Sequence, residues 1–176
     1  NTPVKTILVN WIICQKDDGT GGWVDSPGFR AGVDSMFTYL NEWYSNSHPK
    51  EYTLTCEPII DYITDTKVRF ELNEIIFIRN TTLHRTLNGD LVIQYLEQHH
   101  PGYKKAMSHI FTMPDPQPSY WGYYAVNQTF DQSYVLTAHS MYWPFVVYHD
   151  HIHHIAHEYG HALGLHHTYD SEYRQI

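Results

Sequence analysis

Two histidines one helical turn apart, followed by a glycine and a third histidine, form the most specific pattern in this sequence. The stretch from His157 to His167 is HEYGHALGLHH. On a helix, His157 and His161 lie on the same face, and two neutral imidazoles at that spacing can bind one Zn²⁺ at roughly 2.0–2.1 Å each. Gly164 tolerates a positive φ, so the chain can leave the helix sharply and carry His167 back to the metal. Three protein ligands and one water make an open, catalytic zinc site, whereas four protein ligands would make a structural one.

A carboxylate stands directly beside the first of these histidines. Glu158 is not needed as a ligand, and it is placed to take a proton from a zinc-activated water, which is the general-base role in peptide hydrolysis. Because the chain contains 14 histidines, the alternative is a helix that merely carries solvated imidazoles. Random placement would give the full pattern in roughly 2 of 10,000 such chains, which favours the zinc site.

Five positions match the signature HExxHxxGxxH: His157, Glu158, His161, Gly164 and His167. At these residues the chain resembles the metzincin metalloproteases, and the Thr-Tyr pair at 168–169 is most similar to the pappalysin-like branch. The resemblance implies a zinc-dependent endopeptidase that acts on protein or peptide substrates in a secreted or cell-surface location. It also implies that the three histidines bind Zn²⁺ and that Glu158 is the general base.

The chain departs from the metzincin pattern after the third histidine. Metzincins carry a methionine-containing turn there, but residues 168–176 contain no Met, and all four methionines lie upstream. We therefore expect residues 1–176 to be a single zinc-metalloprotease catalytic domain, truncated after the third zinc ligand. The missing turn supports a second hypothesis, a catalytically inactive zinc-binding or interaction module derived from a metalloprotease.

Other polar residues near the motif are further candidates for metal binding. His166 competes with His167 for the third position, and the spacing of the signature favours His167. A zincin with a different third ligand is therefore a third hypothesis. Some members of the family have a calcium-binding insertion, which Asp170 and Glu172 are placed to begin, so Ca²⁺ is a second candidate metal.

The composition limits the class of protein. Hydrophobic content of 42% and aromatic content of 15% are typical of a globular protein. A net charge of −8 with no basic stripe argues against nucleic acid as a partner, and no apolar run approaches the length that spans a bilayer. Cys14 and Cys56 either pair or remain two buried thiols. The sequence alone does not indicate the oligomeric state.

Hydrophobic periodicity predicts an α/β (α+β) fold. Strands are expected over 4–14, 52–63, 67–80, 104–113 and 134–137, and helices over 29–45 and 87–99. A strand, a long helix and further strands suggest a mixed sheet with helices packed on it. The metzincin resemblance implies that this is an N-terminal subdomain, with a twisted sheet, a backing helix and an active-site helix that carries HExxH.

An aromatic segment over residues 119–126 is the expected border of the cleft. It resembles the metzincin edge strand to which an extended substrate adds as a further strand, so Gly122, Tyr123 and Tyr124 are candidate substrate-binding residues. The alternative is an aromatic strand in the core.

The helix that carries the motif is expected to begin between Pro144 and Asp150, which suit the first turn and the N-cap respectively. One face should pack against the sheet: Ile152, Ile155, Ala156, Tyr159 and Leu163. His153 lies on the other face, where three ligands in a row along one helix cannot converge on a tetrahedral ion. We therefore expect His153 to line the cleft or contact solvent.

Overall fold

The computed structural model describes residues 2–45, 65–114, 122–125, 134–137 and 148–165. Within these residues the elements in chain order are β1 (Lys5–Gln15), α1 (Pro27–Tyr44), β2 (Val68–Arg79), α2 (Thr81–His84), α3 (Gly89–His99), a 3₁₀ turn (Pro101–Lys105), β3 (Met107–Phe111), β4 (Gly122–Ala125), β5 (Tyr134–Thr137) and α4 (Tyr148–Ala162). The predicted strand over 52–63 lies outside the described residues.

The described strands form one five-stranded sheet in the order β2-β1-β3-β5-β4. The first four strands run parallel, and β4 pairs antiparallel with β5 at the end of the sheet. The α/β class and the mixed sheet predicted from the sequence are therefore confirmed. β1 is buried from Val9 to Gln15, as expected for a central strand of a parallel sheet that is covered on both faces.

Helices cover both faces of this sheet. On one face α1 and α4 pack on a core whose buried members are Val9, Trp11, Ile13, Phe29, Val33, Phe37, Leu40, Phe70, Met107, Phe111, Val135, Ile155 and Tyr159. On the other face α2, α3 and the 3₁₀ turn pack on alternate residues of the same strands, such as Ile12 and Ile110. Period-two alternation along β1 and β3 thus supplies two cores, one on each side.

Local signals explain where the helices begin. The hydroxyl of Ser26 accepts a hydrogen bond from the Phe29 N–H, and Pro27 occupies the first turn of α1. Asn80 and Asn88 cap α2 and α3 in the same way. The sequence prediction missed α2. In α3 the side chain of Leu91 is 40% exposed, whereas Val92 is buried in the core.

Of the two cysteines, only Cys14 lies within the described residues. Cys14 is a free thiol on β1, and its fully buried side chain belongs to the core on the α3 face of the sheet. Cys56 lies outside the described residues. None of the helices in the ranges given above is long and apolar enough to cross a bilayer.

Candidate metal centre at the end of helix α4

Helix α4 is held against the sheet by one apolar face. Ile152, Ile155 and Tyr159 are buried, and each contributes about 1.5–3 kcal/mol through removal of its side chain from water. The helix begins at Tyr148 among the described residues, inside the interval predicted from the sequence. Asp150 lies within the helix, so the later start that would make it the N-cap is not observed. Pro144, the candidate for the first turn, lies outside the described residues.

Hydrogen bonds fix the helix further. The phenol of Tyr44 at the end of α1 donates to the Ala156 carbonyl at 2.9 Å, and burial raises the pKa of Tyr44 to about 12. The Tyr159 hydroxyl lies 3.0 Å from Nδ1 of His109 on β3. These contacts leave α4 little freedom to rotate, so the face that carries the motif points in a fixed direction.

The C-terminal end of α4 is closed by a glycine turn. Gly164 has φ 86°, its N–H donates to the His161 carbonyl at 2.9 Å, and the Leu165 N–H donates to the Gly160 carbonyl at 3.0 Å. This pair of bonds is a Schellman motif with Gly164 in the left-handed position. The expected role of Gly164 in turning the chain out of the helix is confirmed. Leu163, expected in the core, is 37% exposed because the helix ends at Ala162.

The same turn determines which nitrogen of His161 carries the proton. Nδ1 of His161 lies 2.6 Å from the Leu165 carbonyl oxygen. A carbonyl only accepts, so Nδ1 is the donor and a neutral ring has its lone pair on Nε2. Histidine ligands to metals commonly donate their second nitrogen to a carbonyl in this way, which fixes the ring and its tautomer.

The lone pair of His161 is directed at His157. The two Nε2 atoms are 3.1 Å apart, and the rings are nearly perpendicular, with centroids 4.6 Å apart and an interplanar angle of 83°. Since His161 Nε2 is the acceptor, the proton in this contact belongs to His157 Nε2. Two nitrogens that each stand 2.0–2.1 Å from a tetrahedral Zn²⁺ are about 3.3 Å apart, so the observed spacing fits two ligands of one ion.

The structure does not describe the predicted third zinc ligand. His167 and its rival His166 lie outside the described residues, as do Asp170 and Glu172, the candidates for calcium. Within the described ranges no group of three or more His, Cys, Asp or Glu side chains could hold a metal ion. The structure thus brings together two of the three predicted zinc ligands.

Glu158 follows His157 in α4, and its side chain is half-buried, while His157 is exposed and His161 is half-buried. The predicted general base and the two histidines therefore occupy consecutive turns at the end of one helix. His154, one residue beyond His153, is exposed. The placement of the His153 side chain is not among the features described.

Strand β4 lies alongside α4, as does β5. Gly122 pairs with Thr137, Tyr123 with Leu136 and Tyr124 with Val135, all in the antiparallel register. Among the described strands, β4 pairs with β5 alone and lies at one end of the sheet. The choice between a cleft-bordering edge strand and an aromatic core strand stays a prediction. The roles of Gly122, Tyr123 and Tyr124 in substrate binding stay predictions.

The sequence offered only weak signals for two of the features above, the Leu165 carbonyl and the buried ring of His109. The Leu165 carbonyl is a backbone atom, and any residue could supply it, so only the glycine turn hints at its position. His109 looked like one polar residue in a strand. Its neighbours in β3, Ile110 and Phe111, are apolar, and this was the one sign that its ring would be buried.

Comparison with known proteins adds no relationship to these observations. No model of a known protein family matches the chain, and no curated protein is similar to it at a significant level.

Proposed function

We propose that the chain is a zinc-dependent endopeptidase in which His157, His161 and His167 bind the metal and Glu158 is the general base. The observation that carries the proposal is the opposed pair of Nε2 atoms, 3.1 Å apart, with the His161 proton held on the other nitrogen by Leu165. This contact fixes the His161 ring so that its Nε2 faces the Nε2 of His157.

Zinc, when bound, polarises the scissile carbonyl and lowers the pKa of the attacking water toward 7. Glu158 takes the proton of that water and passes it to the leaving amine. The carboxylate follows a ligand on the same helix, and α4 is anchored by buried side chains. The base is therefore positioned before substrate arrives, which lowers the cost of reaching the reactive arrangement.

The substrate, in this proposal, is an extended peptide that adds to the antiparallel edge at β4. Main-chain hydrogen bonds to an edge strand bind many sequences, and side-chain pockets then select among them. Support comes from the position of Gly122–Ala125 at the end of the described sheet, next to α4. A secreted or cell-surface location belongs to the proposal through the metzincin resemblance.

Replacement of Glu158 by Gln tests the proposal. The variant keeps the shape of the side chain and all three histidines but cannot accept the proton, so we expect stoichiometric zinc with a loss of cleavage of about a hundredfold or more. Zinc content, stability in urea and cleavage of an unfolded protein substrate are measured with and without a chelator. Glu97→Gln on α3, which removes another helical carboxylate, is the control.

The outcomes separate the hypotheses. Undiminished cleavage by Glu158→Gln excludes the role of Glu158. A wild-type chain that binds one zinc but cleaves nothing is the non-enzymatic module, and a His167→Ala variant that retains both zinc and cleavage favours a different third ligand.

A further inference from the structure

A histidine lies in the middle of the core that joins α4 to the sheet. His109 on β3 has no exposed surface, and both of its ring nitrogens are hydrogen-bonded to hydroxyl groups. Nδ1 is 3.0 Å from the Tyr159 hydroxyl on α4, and Nε2 is 2.9 Å from Thr137 Oγ1 on β5. One imidazole therefore links three elements.

Aromatic rings surround His109 and fix its plane. Phe111 stacks on it with ring centroids 4.1 Å apart, and Trp11 meets it edge-on at 5.9 Å. Burial lowers the pKa of His109 to about 3, so the ring is neutral and has one donor and one acceptor. Because each hydroxyl can donate or accept, both hydrogen bonds are satisfied at once.

The two partners of His109 belong to the two halves of the proposed site. Tyr159 lies between Glu158 and His161 in α4, and its ring is fully buried. Thr137 ends β5 and pairs with Gly122 of β4, the edge expected to bind the substrate. A continuous path of hydrogen bonds and strand pairing thus runs from the metal-binding helix to the edge strand.

We propose that His109 is a positioning residue that sets the distance between the metal-binding end of α4 and the substrate edge at β4. The inference rests on the proposed function and adds to it a residue outside the HExxH motif. An apolar residue at position 109 would also be buried, but it could not make the two directional hydrogen bonds that add to the packing of α4 on β4 and β5. The two bonds, at 3.0 and 2.9 Å, orient the helix relative to the strand as apolar packing alone does not.

Two nearly isosteric substitutions remove one bond each. Tyr159→Phe deletes the link to α4, and Thr137→Val deletes the link to β5. We expect each to lower kcat/KM for a peptide substrate by about tenfold, and the double variant to lower it by little more than either single one, because the two bonds act in series through one ring and the loss of either breaks the path. Tyr159→Phe should also weaken zinc binding, measured by competition with a chelator, by up to tenfold, whereas Thr137→Val should leave zinc affinity unchanged.

Matched controls remove hydroxyls elsewhere in the interior. Tyr103→Phe deletes a buried phenol on the opposite face of the sheet, and Thr112→Val deletes a buried hydroxyl that has no hydrogen-bond partner in the described part of the chain. Both controls should keep wild-type kcat, KM and zinc affinity. Thr137→Ser retains the oxygen and should restore most of the kcat/KM lost in Thr137→Val, which a purely structural loss of volume would not do.

The inference is overturned if the effects of Tyr159→Phe and Thr137→Val on kcat/KM multiply, or if both variants match their controls. Should Tyr159→Phe fail to fold, the comparison of Thr137→Val with Thr137→Ser tests the same link from the other end. A wild-type chain without zinc binding and cleavage would instead overturn the proposed function, and the inference with it.

Discussion

At the scale of the residue, the proposed zinc site depends on which nitrogen of His161 carries the proton. A free imidazole in water exchanges its proton between two nitrogens, and only one tautomer presents Nε2 to a metal. The Leu165 carbonyl, 2.6 Å from Nδ1, selects that tautomer. The chain thus provides, at the level of one residue, an orientation that the sequence motif alone does not guarantee.

If the proposed zinc site exists, acid should remove its metal. Each ligand must be a neutral imidazole, so protons compete with the metal, and affinity falls as the pH drops below the ordinary histidine pKa near 6.5. We expect the zinc content of the dialysed protein to fall steeply below about pH 6 and to recover on return to neutral pH. Metal analysis after dialysis at a series of pH values from 8 to 4 measures the zinc content. Stoichiometric zinc at pH 4 would contradict a site made of three histidines.

Cys14 should be inert in the folded protein. Burial raises the pKa of its thiol to about 12, so the thiolate, which is the reactive form, is scarce at neutral pH. We expect alkylation of Cys14 to be slower than that of an exposed thiol by at least about a hundredfold, and to become rapid in urea. Peptide mass analysis after timed alkylation distinguishes Cys14 from Cys56. Rapid labelling of Cys14 without denaturant would show that β1 opens readily.

At the scale of the element, the end of α4 contains two glycines with opposite requirements. Gly160 lies in the helix, and a methyl group added there would meet Leu165 Cδ1 at 3.5 Å and the Tyr44 hydroxyl at 3.8 Å, both ordinary contacts. Gly164 has φ 86°, a conformation that alanine adopts only with strain, although the surrounding space is open. One glycine is therefore replaceable and the other is not.

This contrast predicts stability changes of opposite sign. Gly160→Ala should raise the free energy of unfolding by up to about 1 kcal/mol, through the helix propensity of alanine. Gly164→Ala should lower it by about 1 kcal/mol and weaken zinc binding, because the turn that holds the Leu165 carbonyl near His161 is strained. Urea denaturation of the two variants beside the wild type measures both. Equal effects would mean that the Schellman turn does not form in solution.

Sequence patterns predicted most elements of this fold but not their local irregularities. The strands over 4–14 and 134–137 and the helix over 29–45 were placed within about two residues, because apolar periodicity over a long stretch has few interpretations. The 3₁₀ turn at Pro101–Lys105 shortened the strand expected over 104–113, since proline begins a turn there. Those errors are confined to element ends.

The irregularity in β2 shows a physical limit of pattern analysis. The register between β1 and β2 shifts at Asn10, which pairs with Glu74, while Val9 pairs with Leu72. Asn73 is the extra residue, and its amide donates to the Asn10 side chain at 2.7 Å. The bulge moves Ile75 and Phe77 onto the same face as Phe70. The alternation of apolar and polar residues in one strand cannot reveal this bulge, because the pairing with the neighbouring strand determines where the extra residue lies.

In the candidate site, too, the sequence motif identified some residues, whereas other contacts could be known only from the fold. Residue types and spacing indicated His157, Glu158, His161 and Gly164, since the chemistry of zinc restricts the ligands to few side chains. The Leu165 carbonyl and the partners of His109 depend on long-range packing. His109 and Tyr159 are 50 residues apart in the chain, and no local pattern links them.

At the scale of the whole molecule, the buried imidazole of His109 couples stability to pH. Its pKa is lowered by burial from 6.5 to about 3 in the folded state, whereas the unfolded chain has the ordinary value. Below pH 6.5 the unfolded state therefore binds one proton more than the folded state does. The free energy of unfolding should fall by about 1.4 kcal/mol per pH unit from this one group as the pH drops from 6.5 toward 3, and the contribution vanishes above 6.5.

The slope of stability against pH identifies the group responsible. Wild type and His109→Gln are unfolded in urea from pH 7 to pH 4 with a chelator present, so that loss of metal does not contribute. Glutamine keeps a donor and an acceptor but does not titrate, so the variant should lose less stability on acidification, by about 1.4 kcal/mol per pH unit below pH 6.5. The acid sensitivity of Asp65, whose pKa is lowered by hydrogen bonds from Arg69 and Lys67, is common to both proteins and cancels in the difference. Parallel curves would mean that the ring of His109 takes up its proton within the fold, and that the core between α4 and the sheet admits water.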